Sequence, residues 1–117
     1  MRDDRERLLD IQEAISSIER YAVKGRKAFE ADELIQIWVI HHLQIIGEAG
    51  RALSEQFRME HPEVNWSGMI GARNVLVHHY FGVDWDVMWG VVQSDLPILK
   101  QRIDSILLSW PSQGDAS

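Results

Sequence analysis

The chain contains no cysteine. That removes disulfides, thiolate zinc sites, iron–sulfur clusters and cysteine nucleophiles together, and it fits a reducing compartment. Proline is scarce, with only Pro62, Pro97 and Pro111. Strand signals are nearly missing, because no segment alternates apolar and polar residues for long. No long apolar run occurs either. The stretch from Leu34 to Ile46 is broken by Gln36, His41, His42 and Gln44, so it is too short and too polar to span a bilayer. The opening MRDDRERLLD mixes acids with arginines and has no apolar stretch of the signal-peptide kind. A soluble, cytoplasmic protein is expected. Positive charge is in deficit: 12 Lys and Arg stand against 18 Asp and Glu, a net charge of −6. A chain that binds long nucleic acid through its overall field is normally basic, so any RNA or DNA contact must be local.

What is present reads as an ordinary globule. With 117 residues, 45% hydrophobic and 26% charged, the chain has the size and composition of one domain. About two thirds of its surface is expected to be buried, enough for a core without metal or disulfide staples. We assign residues 1–110 to that domain and read the tail 111–117, PSQGDAS, as disordered.

Four main helices are predicted, forming an all-α antiparallel bundle with short connections. The first covers about Asp3 to Val23, with Leu8, Ile11, Ile15, Ile18 and Ala22 in one narrow stripe. Lys24 and Gly25 supply its stop signals. The second opens on Asp32 as N-cap and is expected to continue to Met59, about 42 Å at ~1.5 Å per residue. Its main stripe is Leu34, Trp38, Ile45, Ala49 and Leu53, and Ile35, Ile46 and nearby residues widen it, so packing on more than one side is expected. The third starts at the Asn65 cap and reaches about His79, followed by a turn at Phe81-Gly82-Val83-Asp84. The fourth spans Trp85 to about Trp110 on a stripe of Trp85, Met88, Val92, Leu96, Leu99, Ile103, Ile106 and Trp110. Pro97 falls inside it and is expected to kink it. Trp38, Trp85 and Trp110 read as core or dimer interface, Trp66 as the anchor of the third helix, and Trp89, off the main stripe, as an interface candidate.

The chemistry concentrates in the third helix. In the stretch from Gly71 to Asp84, Arg73 and Tyr80 are seven residues apart and lie near one line, while Asn74 and His78 stack on the neighbouring strip. Two readings are open. The polar groups can complete the bundle, with His78 at a helix end whose dipole favours a cation and Arg73 paired with a buried carboxylate such as Glu48. Alternatively they form a metal-free phosphodiester site. Histidine moves protons at neutral pH, arginine offers a planar fork for phosphate, asparagine orients the imidazole or a ribose hydroxyl, and a phenol bonds or stacks. One histidine is too few for a separate base and acid, which points to a symmetric homodimer bringing two copies together.

Arg73-Asn74-x-x-x-His78-x-Tyr80 resembles the Arg-x4-His-x-Tyr signature of the HepT-like toxins of the HEPN superfamily. Ile46-Gly47-Glu48-Ala49, the stretch RALSEQFRMEHPEVNW, RNVLVHHYFGVD and Asp95-Leu96-Pro97 match in order and spacing as well. The resemblance covers roughly residues 5 to 108. It implies a HEPN-like helical homodimer with facing motif helices. It also implies a metal-independent endoribonuclease acting on RNA, the toxin half of a toxin–antitoxin module. The implied partner is a minimal nucleotidyltransferase, MntA-like, that transfers AMP from ATP to the motif tyrosine. Carried over, Arg73 and His78 are catalytic, Asn74 and Tyr80 supporting, and Tyr80 is the AMP acceptor. No cofactor is implied. A reading from another class is a non-catalytic dimeric module that docks, and is modified by, the nucleotidyltransferase.

The remaining candidates are weaker. His41 and His42 lack a third ligand at metal spacing, so no metal site is expected there. Glu48 lies in a family-like block and is a supporting candidate. Its plainer reading is a salt bridge with Arg51 or Arg73. His79 is expected outside the proton-transfer step. Arg20, Lys24, Arg26 and Lys27 form a small basic patch that reads either as a solvated loop or as a surface steering RNA or an antitoxin.

Overall fold

A computed structural model of the chain describes residues 3–78 and 84–110, with residues 73–78 as backbone only. The predicted tail 111–117, the turn at 81–83, His79 and Tyr80 lie outside the described residues. The elements are α1 (Asp4–Ala22), α2 (Arg26–Ala31), α3 (Glu33–Ala52), α4 (Glu55–Glu60), α5 (Trp66–His78), α6 (Trp85–Gly90), a π-helical segment (Val91–Asp95) and α7 (Leu96–Leu108). No strand occurs among the described residues, so the protein is all-α.

Helix α1 starts where the sequence marks a start. The Asp3 carboxylate accepts from the Glu6 backbone N–H at 2.9 Å, and Glu6 Oε1 accepts from the Asp3 N–H at 3.0 Å, a reciprocal capping box. Its predicted stripe is buried as read: Leu8, Ile11, Ile15 and Ile18 have no exposed surface. Gly25 then adopts φ +95°, a left-handed conformation that costs glycine little, and the chain turns directly into α2.

Helix α3 is central and packs on both α1 and α5. The indole Nε1 of Trp38 donates to the Ser17 carbonyl at 2.7 Å, while Ser54 beyond the end of α3 bonds Asp4 at the start of α1. These two ties make α1 and α3 antiparallel. On the other face of α1, Gln12 donates to Asp104 at 2.9 Å and Lys100 to Glu19 at 3.1 Å, which runs α7 antiparallel to α1. The four predicted main helices are therefore α1, α3, α5 and the α6–π–α7 unit.

Three expectations are corrected. The second helix does not continue to Met59. It ends at Ala52, and Leu53 and Ser54 are extended, with ψ of 149° and 150°. Ser54 caps a new helix, its Oγ accepting from the Phe57 N–H at 3.1 Å, and its own N–H and hydroxyl donate to Asp4 at 2.9 and 2.7 Å. The α3 stripe is also displaced by one residue at its start. Leu34 is 77% exposed, and Ile35, Val39, Leu43, Ile46, Ala49 and Leu53 face the core. Third, the short helix α2 seats Phe29 at 1% exposure against Trp85 and Trp89. Trp89 is consequently core, 8% exposed, and not an interface residue. The regular α-helix of the last unit is interrupted just before Pro97, where the kink is expected. The helix widens into a π-helical turn over Val91–Asp95, and Pro97 falls in the first turn of α7, where a missing N–H costs little. Val92, Leu96, Ile103 and Ile106 still reach the core as predicted. No helix among the described residues is long and apolar enough to cross a membrane.

Candidate active site

Helix α5 carries the motif, and its first turn is fixed from three directions. Asn65 caps it, Oδ1 accepting from the Gly68 N–H at 3.0 Å. Trp66 is 6% exposed, and its Nε1 donates to the His61 carbonyl at 2.9 Å, which confirms it as an anchor. Phe57 of α4 meets the Trp66 ring with centroids 6.0 Å apart. From α3, Gly50 comes so close that an added Cβ would sit 2.6 Å from Met69 Sδ. The last residues of α3 thus lie against the first turns of α5, and the two helices are antiparallel.

The backbone of α5 is helical through His78. Arg73, Asn74 and His78 therefore share one continuous helix, with Asn74 and His78 one turn apart on one strip. Tyr80 lies outside the described residues. Glu48 is exposed on α3 between buried Gly47 and Ala49, so it is not a buried carboxylate. His42 is 9% exposed. Its Nδ1 lies 2.8 Å from the Trp38 carbonyl, and its ring is 4.4 Å from that of Trp38. An Nδ1–H facing a carbonyl is a donor, so this imidazole is a satisfied core group. His41 is exposed beside it, edge to face at 5.0 Å. Among the described residues no three His, Asp or Glu are grouped as a metal would require.

The basic patch divides. Arg20 lies over the Trp38 ring at 5.9 Å and Lys24 over the Tyr21 ring at 5.5 Å. Arg26 instead donates to Glu30 at 2.8 Å and to Asp86. The hydrogen bond to Glu30 is the main reason its pKa is held above the ordinary value. Arg26 therefore ties α2 to the first turn of α6, the element that follows the motif segment, while Lys27 is exposed.

A groove that single-residue reasoning missed lies along the first half of α5. It is open, about 900 Å³, with Trp66, Ser67, Ile70 and Gly71 of α5 on one side, Glu55, Arg58 and Met59 of α4 on the other, and Arg102 of α7 at its edge. Arg58 Nε is buried without a hydrogen-bond partner. Glu63, also in the wall, is engaged by His61, Nδ1 to Oε2 3.0 Å. That bond, followed by a backbone N–H, holds its carboxyl below the usual range. Arg58 lay inside a block already singled out, but nothing local to Arg102 announced that the two would converge.

Comparison with known proteins gives the family of the chain. The family model for HepT-like ribonucleases matches residues 11–106. The chain is 35% identical over 106 residues to a candidate RNase of Methanocaldococcus jannaschii, covering 90% of this chain and 97% of that one. It is 39% identical over 106 residues to a candidate ribonuclease HepT of Thermococcus cleftensis, covering 90% and 96%. A third relative, a candidate RNase of Caldanaerobacter subterraneus, is 33% identical over 97 residues, 83% of this chain and 87% of the other. No solved structure matches.

Proposed function

Since the chain belongs to the HepT-like ribonuclease family, we propose that it is a metal-independent endoribonuclease working as a symmetric homodimer, the toxin half of a toxin–antitoxin pair. The observation that carries this is the placement of Arg73, Asn74 and His78 on one uninterrupted helix, within a chain whose family is named for RNA cleavage.

The chemistry follows from the residue types. One imidazole takes the proton from an RNA 2′-hydroxyl, and the 2′-oxygen attacks the adjacent phosphorus. The His78 of the second subunit gives a proton to the departing 5′-oxygen. Arg73 bonds the phosphoryl oxygens through the transition state. The products are a 2′,3′-cyclic phosphate and a 5′-hydroxyl. Asn74, one turn before His78, orients the ring or the ribose. Glu48, exposed on α3, is a supporting group of the same cleft.

Control is proposed to come from an MntA-like nucleotidyltransferase. The Tyr80 phenol attacks the α-phosphorus of ATP, AMP is transferred and pyrophosphate leaves. The added phosphate brings bulk and negative charge to the mouth of the cleft and repels RNA. The net charge of −6 favours one other reading, a non-catalytic module that only docks and accepts AMP.

The deciding experiment induces wild type and His78→Ala without a partner and follows growth and total RNA. Arrest with RNA loss in wild type, absent in the variant, is expected. Normal growth and intact RNA in both would overturn the nuclease and leave the docking module.

A further inference from the structure

We propose that the groove beside the first half of α5 is a single-stranded RNA subsite, in which Arg58 and Arg102 hold phosphates on one side of the cleavage position. The inference rests on the ribonuclease reading and names where its substrate lies.

Continuity with the motif is the first argument. Ser67 and Gly71 line the groove, and Asn74 and His78 follow Gly71 at spacings of three and four along the same helix. Residues at such spacings share a face. From Ser67 to His78 that face spans about 16 Å at ~1.5 Å per residue. A strand lying in the groove is therefore in line with the proposed catalytic positions.

The second argument is the state of the two cations. They arrive from α4 and α7, far apart in sequence, and converge on one groove. Among the described residues neither forms a salt bridge, in contrast to Arg26 and Lys100, which do. Arg58 is half-buried, its Nε enclosed by the packing, so the side chain is held by its stem. Such a guanidinium presents a planar fork suited to a phosphate. Of the two acids in the wall, Glu63 is hydrogen-bonded by His61 and also feels the Arg102 charge without forming a salt bridge to it, and Glu55 stands in the first turn of α4, where the helix dipole favours a carboxylate.

Third, the rest of the lining is apolar surface against which bases can lie: Met59, 73% exposed, together with Pro62 and Ile70. An acidic protein that acts on RNA needs its cations placed locally. This groove supplies two of them next to the motif helix.

The test uses the cleavage-silent His78→Ala protein and a fluorescent oligouridine, read by anisotropy across a salt series. Arg58→Met keeps the stem that packs the site, and Arg102→Gln removes the second charge. The double variant is expected to bind at least tenfold more weakly and to lose about 1.4 from the log–log salt slope, two phosphates at ~0.7 each. Arg5→Ala, an exposed charge of α1 outside the groove, controls for net charge and should leave the slope unchanged. In the cleaving protein the double variant should raise KM and spare kcat. Unchanged affinity and slope in a folded double variant would overturn the subsite, as would failure of the His78→Ala protein to hold the oligonucleotide at all. Wild type that cuts RNA normally alongside an indifferent double variant refutes the groove alone. RNA held through these arginines by a protein that never cuts refutes the nuclease reading alone.

Discussion

Gly50 of α3 and Met69 of α5 touch where their helices cross, and a Cβ at position 50 fits only if the Met69 thioether shifts, since that Cβ would stand 2.6 Å from Met69 Sδ. That approach sets the distance between the central helix and the helix bearing Arg73 and His78. Alanine at position 50 is expected to be nearly neutral. Its better helix propensity, up to about 1 kcal/mol, offsets a shift of the flexible thioether costing about 0.5–1.5 kcal/mol. Gly50→Leu overpacks the crossing and should cost about 1–3 kcal/mol in urea unfolding. Adding Met69→Ala should recover part of that loss, a coupling that a double-mutant cycle measures directly. Additive effects would show that the two residues do not constrain each other.

The bonds between Asp4 and Ser54 give a second prediction. Asp4 accepts from both the N–H and the hydroxyl of Ser54, and Ser54 in turn caps α4. One carboxylate thereby pins the break between α3 and α4 to the start of α1. Ser54 is exposed and Asp4 half-buried, which limits the effect. Asp4→Ala is expected to lower stability by about 1 kcal/mol, and Ser54→Ala by about 1–2 because it also removes a cap. Chemical denaturation checks both. Equal losses from the two variants would mean that the cap contributes nothing beyond the Asp4 contact.

The same junction shows what the sequence conveyed and what it withheld. The α1 stripe was legible because Leu8, Ile11, Ile15 and Ile18 have only one neighbourly arrangement on a helix. The start of α5 was legible because Asn65 is a cap by chemistry. The break at Ser54 was not, since nothing in RALSEQF opposes a helix and the deciding partner is Asp4, fifty residues away. Trp89 was misjudged for a similar reason: its burial depends on Phe29, carried by a six-residue helix too short to show periodicity. For the site, the motif was legible as a constellation at helical spacing. The groove was not, because Arg58 and Arg102 meet only through tertiary packing.

Tyr80 supplies a prediction on regulation. Incubating the protein with its nucleotidyltransferase and ATP should add the mass of one or more AMP groups, and Tyr80→Phe should prevent it. The modified protein should neither arrest growth nor bind oligouridine as tightly, because the new phosphates repel the strand. AMP addition that persists in Tyr80→Phe would move the acceptor to another residue. Modification without loss of cleavage would separate AMP transfer from control.

The proposal of one His78 from each subunit makes a quantitative prediction about mixed dimers. If base and acid come from different subunits, a dimer with one His78→Ala chain lacks one of them and is inactive. Activity then follows the square of the wild-type fraction in randomly assembled dimers. An equal mixture should retain about a quarter of wild-type activity. If each subunit were self-sufficient, the mixture would retain about half. Co-expressing the two chains with different affinity tags and isolating the doubly tagged dimer sharpens the test. That species should be silent under the shared mechanism and about half as active as wild type otherwise. Because His78→Ala leaves the backbone of α5 and the Gly50–Met69 crossing untouched, the mixed dimer should form as readily as the parent, and sedimentation of the isolated species verifies that the loss is chemical.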